Sequence, residues 1–391
     1  MGKTKLIKRL TFLYLLLFPF GQLTRLQLNS FGIDIPFYIN DFIIGLISLV
    51  WVITNRKNKN ILPKAFINFF GIAVFSFLVS IFIFHTPKLL VGFMYLIRLI
   101  AYLTFFLAAK QTLKVNYKLR EVFLNSLIAA SLLTAVFGWL QYLIIPDTRF
   151  LKVYGWDDHL YRLIGTFLDP TFTGIIIVFG FLLSLGKFLT SKKTIWLCLS
   201  IFMMVSVGFT YSRASFLAIL AGLGALLVLY KKVNKLVIVI PILIILAVFL
   251  PRPSSEGVHL ERTMSVFSRF VSYDETLLIF RKSPLFGVGY DNFCLARGLI
   301  GGNVNFSSHS CSGSDSSVLL VLSTFGVVGF MIFVDLIYFL VKNLKGEYYP
   351  ETIASLFALF VHSFFSNSLF YPWVMGFIVL LLAVSIKAHE E

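Results

Sequence analysis

The sequence predicts an all-α integral membrane protein with about twelve transmembrane helices and one large extracytoplasmic loop between the ninth and the tenth. Three observations predict it. Of 391 residues, 58% are hydrophobic and only 13% are charged, with a mean hydropathy of +0.88, whereas soluble domains carry roughly 45–50% apolar and about 25% charged residues. The apolar runs are continuous rather than alternating, which selects helices over a membrane barrel. Finally, lysine and arginine collect in every second gap between the runs, the pattern of cytoplasmic loops.

Taken in order, the runs place helices at Leu10–Thr24, Phe37–Thr54, Ala65–Phe84, Leu89–Ala109, Val122–Ile145, Pro170–Leu189, Ile195–Tyr211, Ala214–Tyr230, Leu236–Leu250, Ser317–Val341, Thr352–Ser366 and Phe370–Lys387. The basic start, Met1 to Arg9, leads into an apolar run with no small-residue cleavage site, so it reads as a first transmembrane helix rather than a removed signal. With that end cytoplasmic, the inner gaps are all basic, and the short outer gaps hold only Arg25, Lys88, Arg149, Lys152, Arg162 and Arg213. An even helix count then leaves both termini cytoplasmic. The net charge of +16 is accounted for by this sorting and does not call for nucleic acid. Residues 1–250 and 317–391 form one membrane domain, and 251–316 form an extracytoplasmic cap. Within the cap, Ser265–Lys282 mixes Phe267, Phe270 and Leu278 with Arg269, Asp274 and Lys282 as an amphipathic helix would.

Several polar residues sit where they are costly or pointed. Arg98 falls in the middle of the fourth helix, where a charge costs at least about 2.5–3.5 kcal/mol and faces the bundle interior; it serves a ligand or pairs with an acid such as Asp335. Arg162 precedes Asp169-Pro170, a helix start with Asp169 as N-cap and a position that also favours an anion. Arg213 lies between two apolar runs at the outer side. Arg281 precedes the glycine-rich Ser283–Tyr290 turn and is either a solvated cap residue or a ligand. Guanidinium groups converging on one outer cavity suit a diphosphate, because the planar fork matches phosphate oxygens and stays charged. No glycine-rich loop with lysine points to a nucleotide, and no cofactor is called for. No histidine or cysteine pair has metal-site spacing, so no protein-ligated metal is expected. His309 and Asp315, just ahead of the tenth helix, compete as the base, and Asp315 can equally cap that helix. His362 reads as a hydrogen-bonded residue between helices. Cys198 reads as a buried small hydrophobe, while Cys294 and Cys311 share the cap and can pair if it faces an oxidising compartment.

Four motifs occur in order: Arg162-Leu-Ile-Gly165-Thr-Phe167-Leu-Asp169-Pro170, Thr210-Tyr-Ser212-Arg213-Ala214, Ser283-Pro284-Leu-Phe-Gly287-Val-Gly289-Tyr-Asp-Asn-Phe293, and Asp315 through Gly326-Val-Val-Gly329. Together they resemble the O-antigen ligase and O-antigen polymerase superfamily, bacterial polytopic lipid-linked glycan transferases, from about Arg98 to the C-terminus. The resemblance implies a GT-C-like membrane fold and a metal-independent glycosyltransferase at the outer face of the bacterial cytoplasmic membrane. It implies a donor glycan on undecaprenyl diphosphate and an acceptor hydroxyl on lipid A-core or on another lipid-linked glycan, with a chain-length regulator protein as a further partner. Arg213 matches the arginine of the Ser-Arg motif, and Arg162 the one ahead of Gly-Thr-Phe. Where ligases carry a histidine directly ahead of the leucine-rich helix, this chain has Asp315, and His309 lies six residues earlier. That departure leans the expectation towards a polymerase. The competing expectations are a transporter or flippase of lipid-linked sugars, which would show inverted repeats with broken helices, and a membrane scaffold or a shape-and-division glycan polymerase.

Overall fold

The computed structural model describes residues 2–30, 33–58, 61–251, 253, 256–306, 311 and 313–386. In chain order the helices are α1 (Gly2–Leu17), α2 (Ile39–Asn55), α3 (Lys64–Phe84), α4 (Leu89–Val115), α5 (Leu119–Ile144), α6 (Pro170–Ser191), α7 (Thr194–Phe209), α8 (Arg213–Leu229), α9 (Leu236–Phe249), α10 (Met264–Lys282), α11 (Phe293–Gly298), α12 (Ser317–Lys342), α13 (Tyr349–His362) and α14 (Pro372–Ser385). Six stretches are long and apolar enough to cross a membrane: Thr4–Thr24, α3, α4, α5, α6 and α12. Helices α2, α7, α8 and α14 are apolar but shorter. The bundle is thus an all-α membrane architecture. Its most enclosed element is α14, buried along its whole length against α4 and α5, while α6 packs on α5, α7, α8 and α13.

The structure departs from the sequence expectation in two places. After a 3-10 stretch, Phe18–Thr24, strands β1 (Arg25–Ser30) and β2 (Ile33–Tyr38) pair antiparallel with Arg25 opposite Tyr38. The period-two alternation of Leu26, Leu28 and Ile33, Ile35 is the strand signal. The second departure is Cys198, which is exposed on the outside of α7 rather than buried. An apolar side chain facing hydrocarbon has no reason to turn inward. The expected amphipathic segment does form a helix, α10, and it packs against α12. Cys294 on α11 and Cys311 are joined by a disulfide.

The glycine-rich motifs have a backbone explanation. Helix α12 is interrupted at Gly326, which sits at φ 68° and ψ −174°. A break inside an apolar segment frees backbone groups that must find partners. The Ser283–Gly289 loop supplies them. Val288 and Gly289 donate to the Ser323 and Thr324 carbonyls at 3.1 and 3.0 Å, and Val327 and Val328 donate to Pro284 and Leu285 at 2.9 and 3.2 Å. The Ser76 hydroxyl, from α3, donates to both Phe286 and Thr324 carbonyls at 2.7 and 2.8 Å. Such close approach needs glycine. A Cβ at Gly287 would lie 2.2 Å from the Thr324 carbonyl carbon, and one at Gly326 would lie 2.3 Å from that of Leu285, both at positive φ. Gly326→Ala is therefore expected to abolish the folded, detergent-stable protein. Size-exclusion of the solubilised variant checks this: a normal monodisperse peak would contradict the interlock.

Candidate functional site

Arg98 is held within the bundle. Its Nη2 lies 2.7 Å from an Asp41 carboxylate oxygen, with both side chains buried, and donates to the Pro36 carbonyl at 2.6 Å. Asp41 also accepts from the Tyr102 hydroxyl at 2.9 Å and from the Tyr38 backbone N–H at 3.2 Å. The rings of Tyr95 and Tyr38 flank the guanidinium at 4.6 and 5.6 Å. The acid is thus Asp41 and not Asp335, which is exposed on α12. The larger cavity, about 290 Å³ between α2 and α4, has Arg98 and Asp41 in its otherwise largely apolar wall. Asp41 thus supplies the counter-charge to Arg98. Removing one partner of a buried pair strands the other, at about 3–5 kcal/mol. Asp41→Ala should lower the thermal midpoint accordingly in a detergent melting assay, and Arg98→Ala should do likewise.

The other arginines gather at one end of the bundle. There the ends of α5, α7 and α13 meet the starts of α6, α8, α12 and α14, as the bonds Leu163 N–H to Phe209 O (2.9 Å) and Ser317 N–H to Ser363 O (2.8 Å) record. Tyr211, between α7 and α8, is buried at φ 49°, a strained position for a bulky residue. That backbone turns two carbonyls towards two guanidinium groups. Arg162 donates to Thr210 and Tyr211 at 3.0 and 3.3 Å, and Arg262 donates to the same Tyr211 oxygen at 3.3 Å. Arg213, in the first turn of α8, donates to the Leu260 and Arg262 carbonyls at 3.3 and 2.8 Å and to the Ser265 hydroxyl at 2.5 Å. It thereby ties the start of α10 to α8. Arg269 of α10 is close enough to bear on the charge of both Arg162 and Arg213, and it has no hydrogen-bond or ion-pair partner among the described residues.

The bonds recorded for Arg162, Arg213 and Arg262 go to neutral carbonyl or hydroxyl oxygens, unlike the carboxylate of Asp41 at Arg98. Hydrogen bonds to neutral oxygens satisfy N–H groups without cancelling the charge they belong to. Burial, with Arg262 beside it, pulls the Arg162 guanidinium down to about 9, so it stays charged at neutral pH. Asp169 is the nearby counter-charge. One of its oxygens caps α6, accepting from Thr171 and Phe172 N–H at 2.6 and 3.0 Å.

The remaining candidates are placed as follows. Asp315 lies just before α12, with its N–H donating to Ser272 of α10 at 3.1 Å; the cap of α12 is Ser316, whose hydroxyl accepts from Leu319. His309 lies outside the described residues. Arg281 is exposed at the last turn of α10, twelve residues and so about 18 Å along the axis from Arg269; the structure does not bring it to the group. His362 bridges helices, its Nδ1 2.5 Å from the Ser368 hydroxyl and its Nε2 3.5 Å from Ser215 Oγ. Among the described residues, no group of three or more His, Cys, Asp or Glu side chains is arranged to hold a metal ion.

Sequence reasoning missed Arg262, Arg269 and His159 as members. Both arginines were legible only as charges in a polar loop, and His159 had only its place between Asp158 and Arg162 as a signal. His159 is 8% exposed, its Nε2 is buried without a partner among the described residues, and Arg162 and Asp169 lie close to it. Burial first, then Arg162, hold its imidazole down to about 4. The unfolded chain takes up a proton near 6.5 that the folded chain refuses. Stability that is full above about pH 6.5 is thus lost as pH falls towards 4, by at most about 3 kcal/mol. His159→Gln should shrink the drop in thermal midpoint between pH 7 and pH 4.5, and an unchanged drop would refute the assignment.

The fold defines a multi-pass α-helical membrane protein with a group of arginines at one end of its bundle. Residues 198–334, about a third of the chain, match the family model of the O-antigen ligase, which supports assignment to the O-antigen ligase and polymerase superfamily. The matched span holds Arg213, Arg262, Arg269 and Asp315 and stops short of Arg162 and Asp169. No curated protein matches the chain.

Proposed function

We propose that the chain is a membrane glycosyltransferase that moves a glycan from a polyprenyl-diphosphate donor, undecaprenyl diphosphate in bacteria, to a sugar hydroxyl at the outer face of the cytoplasmic membrane. The observation that carries this is the group of Arg162, Arg213, Arg262 and Arg269. The bonds of Arg162 and Arg213 go to neutral oxygens, Arg262 shares the Tyr211 carbonyl with Arg162, and Arg269 has no hydrogen-bond or ion-pair partner among the described residues. The O-antigen ligase match supports glycan transfer as the chemistry of such a site.

In this reading the acceptor oxygen attacks the anomeric carbon as the bond from that carbon to the phosphate oxygen breaks. The electron pair leaves on the diphosphate, whose growing negative charge the guanidinium groups stabilise without reorganising. The acceptor proton passes to a base, Asp315 or His309, and direct displacement inverts the anomeric centre. Arg213 acts both on the leaving group and as the tie that holds α10 over the site. A polymerase is favoured over a ligase because Asp315 stands immediately before α12, where a ligase would carry histidine. Both termini are then cytoplasmic and the 251–316 segment is extracytoplasmic, in keeping with the basic inner gaps.

Purified protein with a lipid-diphosphate-linked oligosaccharide and a chelator should give a ladder of longer lipid-linked glycans. Arg269→Ala should lower the rate by about 10²–10³-fold, the range for removing one transition-state donor, with the detergent melting point unchanged. Movement of the donor across vesicles without lengthening would instead establish a flippase, and transfer only to lipid A-core would establish a ligase.

A further inference from the structure

A second, smaller cavity of about 110 Å³ lies beside the arginine group. Its walls come from the turn at Gly155 and from the start of α6, and they include Trp156, Asp157, Asp169, Phe172 and Arg25. The sequence explains why these side chains converge. Gly155 sits at φ 82° and Leu168 at φ 57°, so the chain turns sharply just before Trp156 and just before Asp169. Phe172 is held flat against Tyr371, with ring centroids 3.8 Å apart and planes 4° from parallel. The Arg25 guanidinium lies 6.0 Å from the Trp156 ring, and its Nε is buried without a partner among the described residues. Asp169 uses Oδ1 to cap α6, which leaves Oδ2 with no recorded bond. Asp157 is exposed and likewise has none among the described residues.

Two aromatic walls, two carboxylates with open oxygens and a guanidinium group make a particular chemistry. A flat apolar face meets C–H groups, while carboxylate and guanidinium meet a rim of hydroxyls as acceptors and donor. A phosphate would be repelled by the two carboxylates, and a hydrocarbon chain would leave them unpaired. We infer that this cavity is a saccharide subsite that holds one sugar ring of the glycan through Trp156, Phe172, Asp157, Asp169 and Arg25. The inference rests on the transferase reading, because Asp169 is both a wall of the cavity and the acid beside Arg162. A ring seated there therefore adjoins the proposed diphosphate site. It belongs either to the donor or to the acceptor glycan, and both present the same chemistry.

The test separates the subsite from the reaction. Trp156→Ala, assayed in the full-length purified protein with the lipid-linked oligosaccharide, should raise KM about tenfold, one lost stacking contact, with kcat within about twofold. Trp156→Phe, which keeps a ring, should restore most of the affinity. Varying donor and acceptor independently shows which glycan occupies the subsite. The second measurement needs no turnover. Free oligosaccharide released from the same donor is titrated while tryptophan fluorescence is followed. The change should be present in the unaltered protein and in Arg213→Ala, and absent in Trp156→Phe. An unchanged KM in Trp156→Ala, or a fluorescence change that survives Trp156→Phe, overturns the subsite and leaves the transferase reading standing. A change that depends on Trp156 in a protein that transfers glycan neither to a lipid-linked glycan nor to lipid A-core supports the subsite and overturns that reading.

Discussion

Hydrocarbon offers no hydrogen bonds, and the rest of the structure follows from how the chain satisfies polar groups without solvent. The clearest instance is the break in α12. At Gly326 the helix gives up its regular ladder, and the Ser283–Gly289 loop comes back to restore it with four main-chain bonds. That exchange fixes the loop, and the loop joins α10 to α11, so the placement of Arg269 depends on it. A helix interrupted in this way would otherwise carry orphan carbonyls, each costing several kcal/mol. Ser76 adds its hydroxyl from α3 at the same spot, so three segments distant in sequence close one gap.

The same constraint separates two kinds of arginine. Arg98 meets a carboxylate, two tyrosine rings and a carbonyl, and the charge ends there. Arg162 and Arg213 donate to carbonyl and hydroxyl oxygens, so their N–H groups are satisfied without a carboxylate bonded to either guanidinium among the described residues. The two settings differ in partner chemistry: a carboxylate bonded to Arg98, neutral oxygens bonded to Arg162 and Arg213.

Much of this was open to inspection in the sequence. Continuous apolar runs mark helices plainly because a membrane segment must be apolar along its length, and the cut at Ser212-Arg213 is where α7 gives way to α8. The hairpin at Arg25–Tyr38 alternates with period two, yet it is short and lies between two apolar runs that swamp it. The partner of Arg98 was beyond reach because Asp41 is 57 residues earlier, and spacing along a chain does not say which helices touch. The glycines of the third and fourth motifs stood out as landmarks, but their reason, main chain passing within contact of main chain, exists only in three dimensions. His159 and Arg262 failed to stand out for a related cause. What distinguishes them is burial beside Arg162, and burial in a polar loop has no periodic signature.

The Thr210-Tyr211-Ser212-Arg213 motif shows how the levels join. Ser212 caps α8 through its hydroxyl, accepting from the Ser215 N–H at 3.3 Å, so the helix must start at Arg213. The preceding residue is then forced into a tight reversal, and Tyr211 takes a positive φ. The strain is held by packing: the Tyr211 ring is fully buried and its hydroxyl donates to the Pro251 carbonyl at 2.5 Å. The reversal leaves the Thr210 and Tyr211 carbonyls facing outward, and these are the oxygens that hold Arg162 and Arg262 in place. Like charges are thus pinned side by side by the backbone of one strained turn, before any ligand is bound. An anion entering there would find its counter-charges already oriented, which is the condition under which electrostatic stabilisation is strongest.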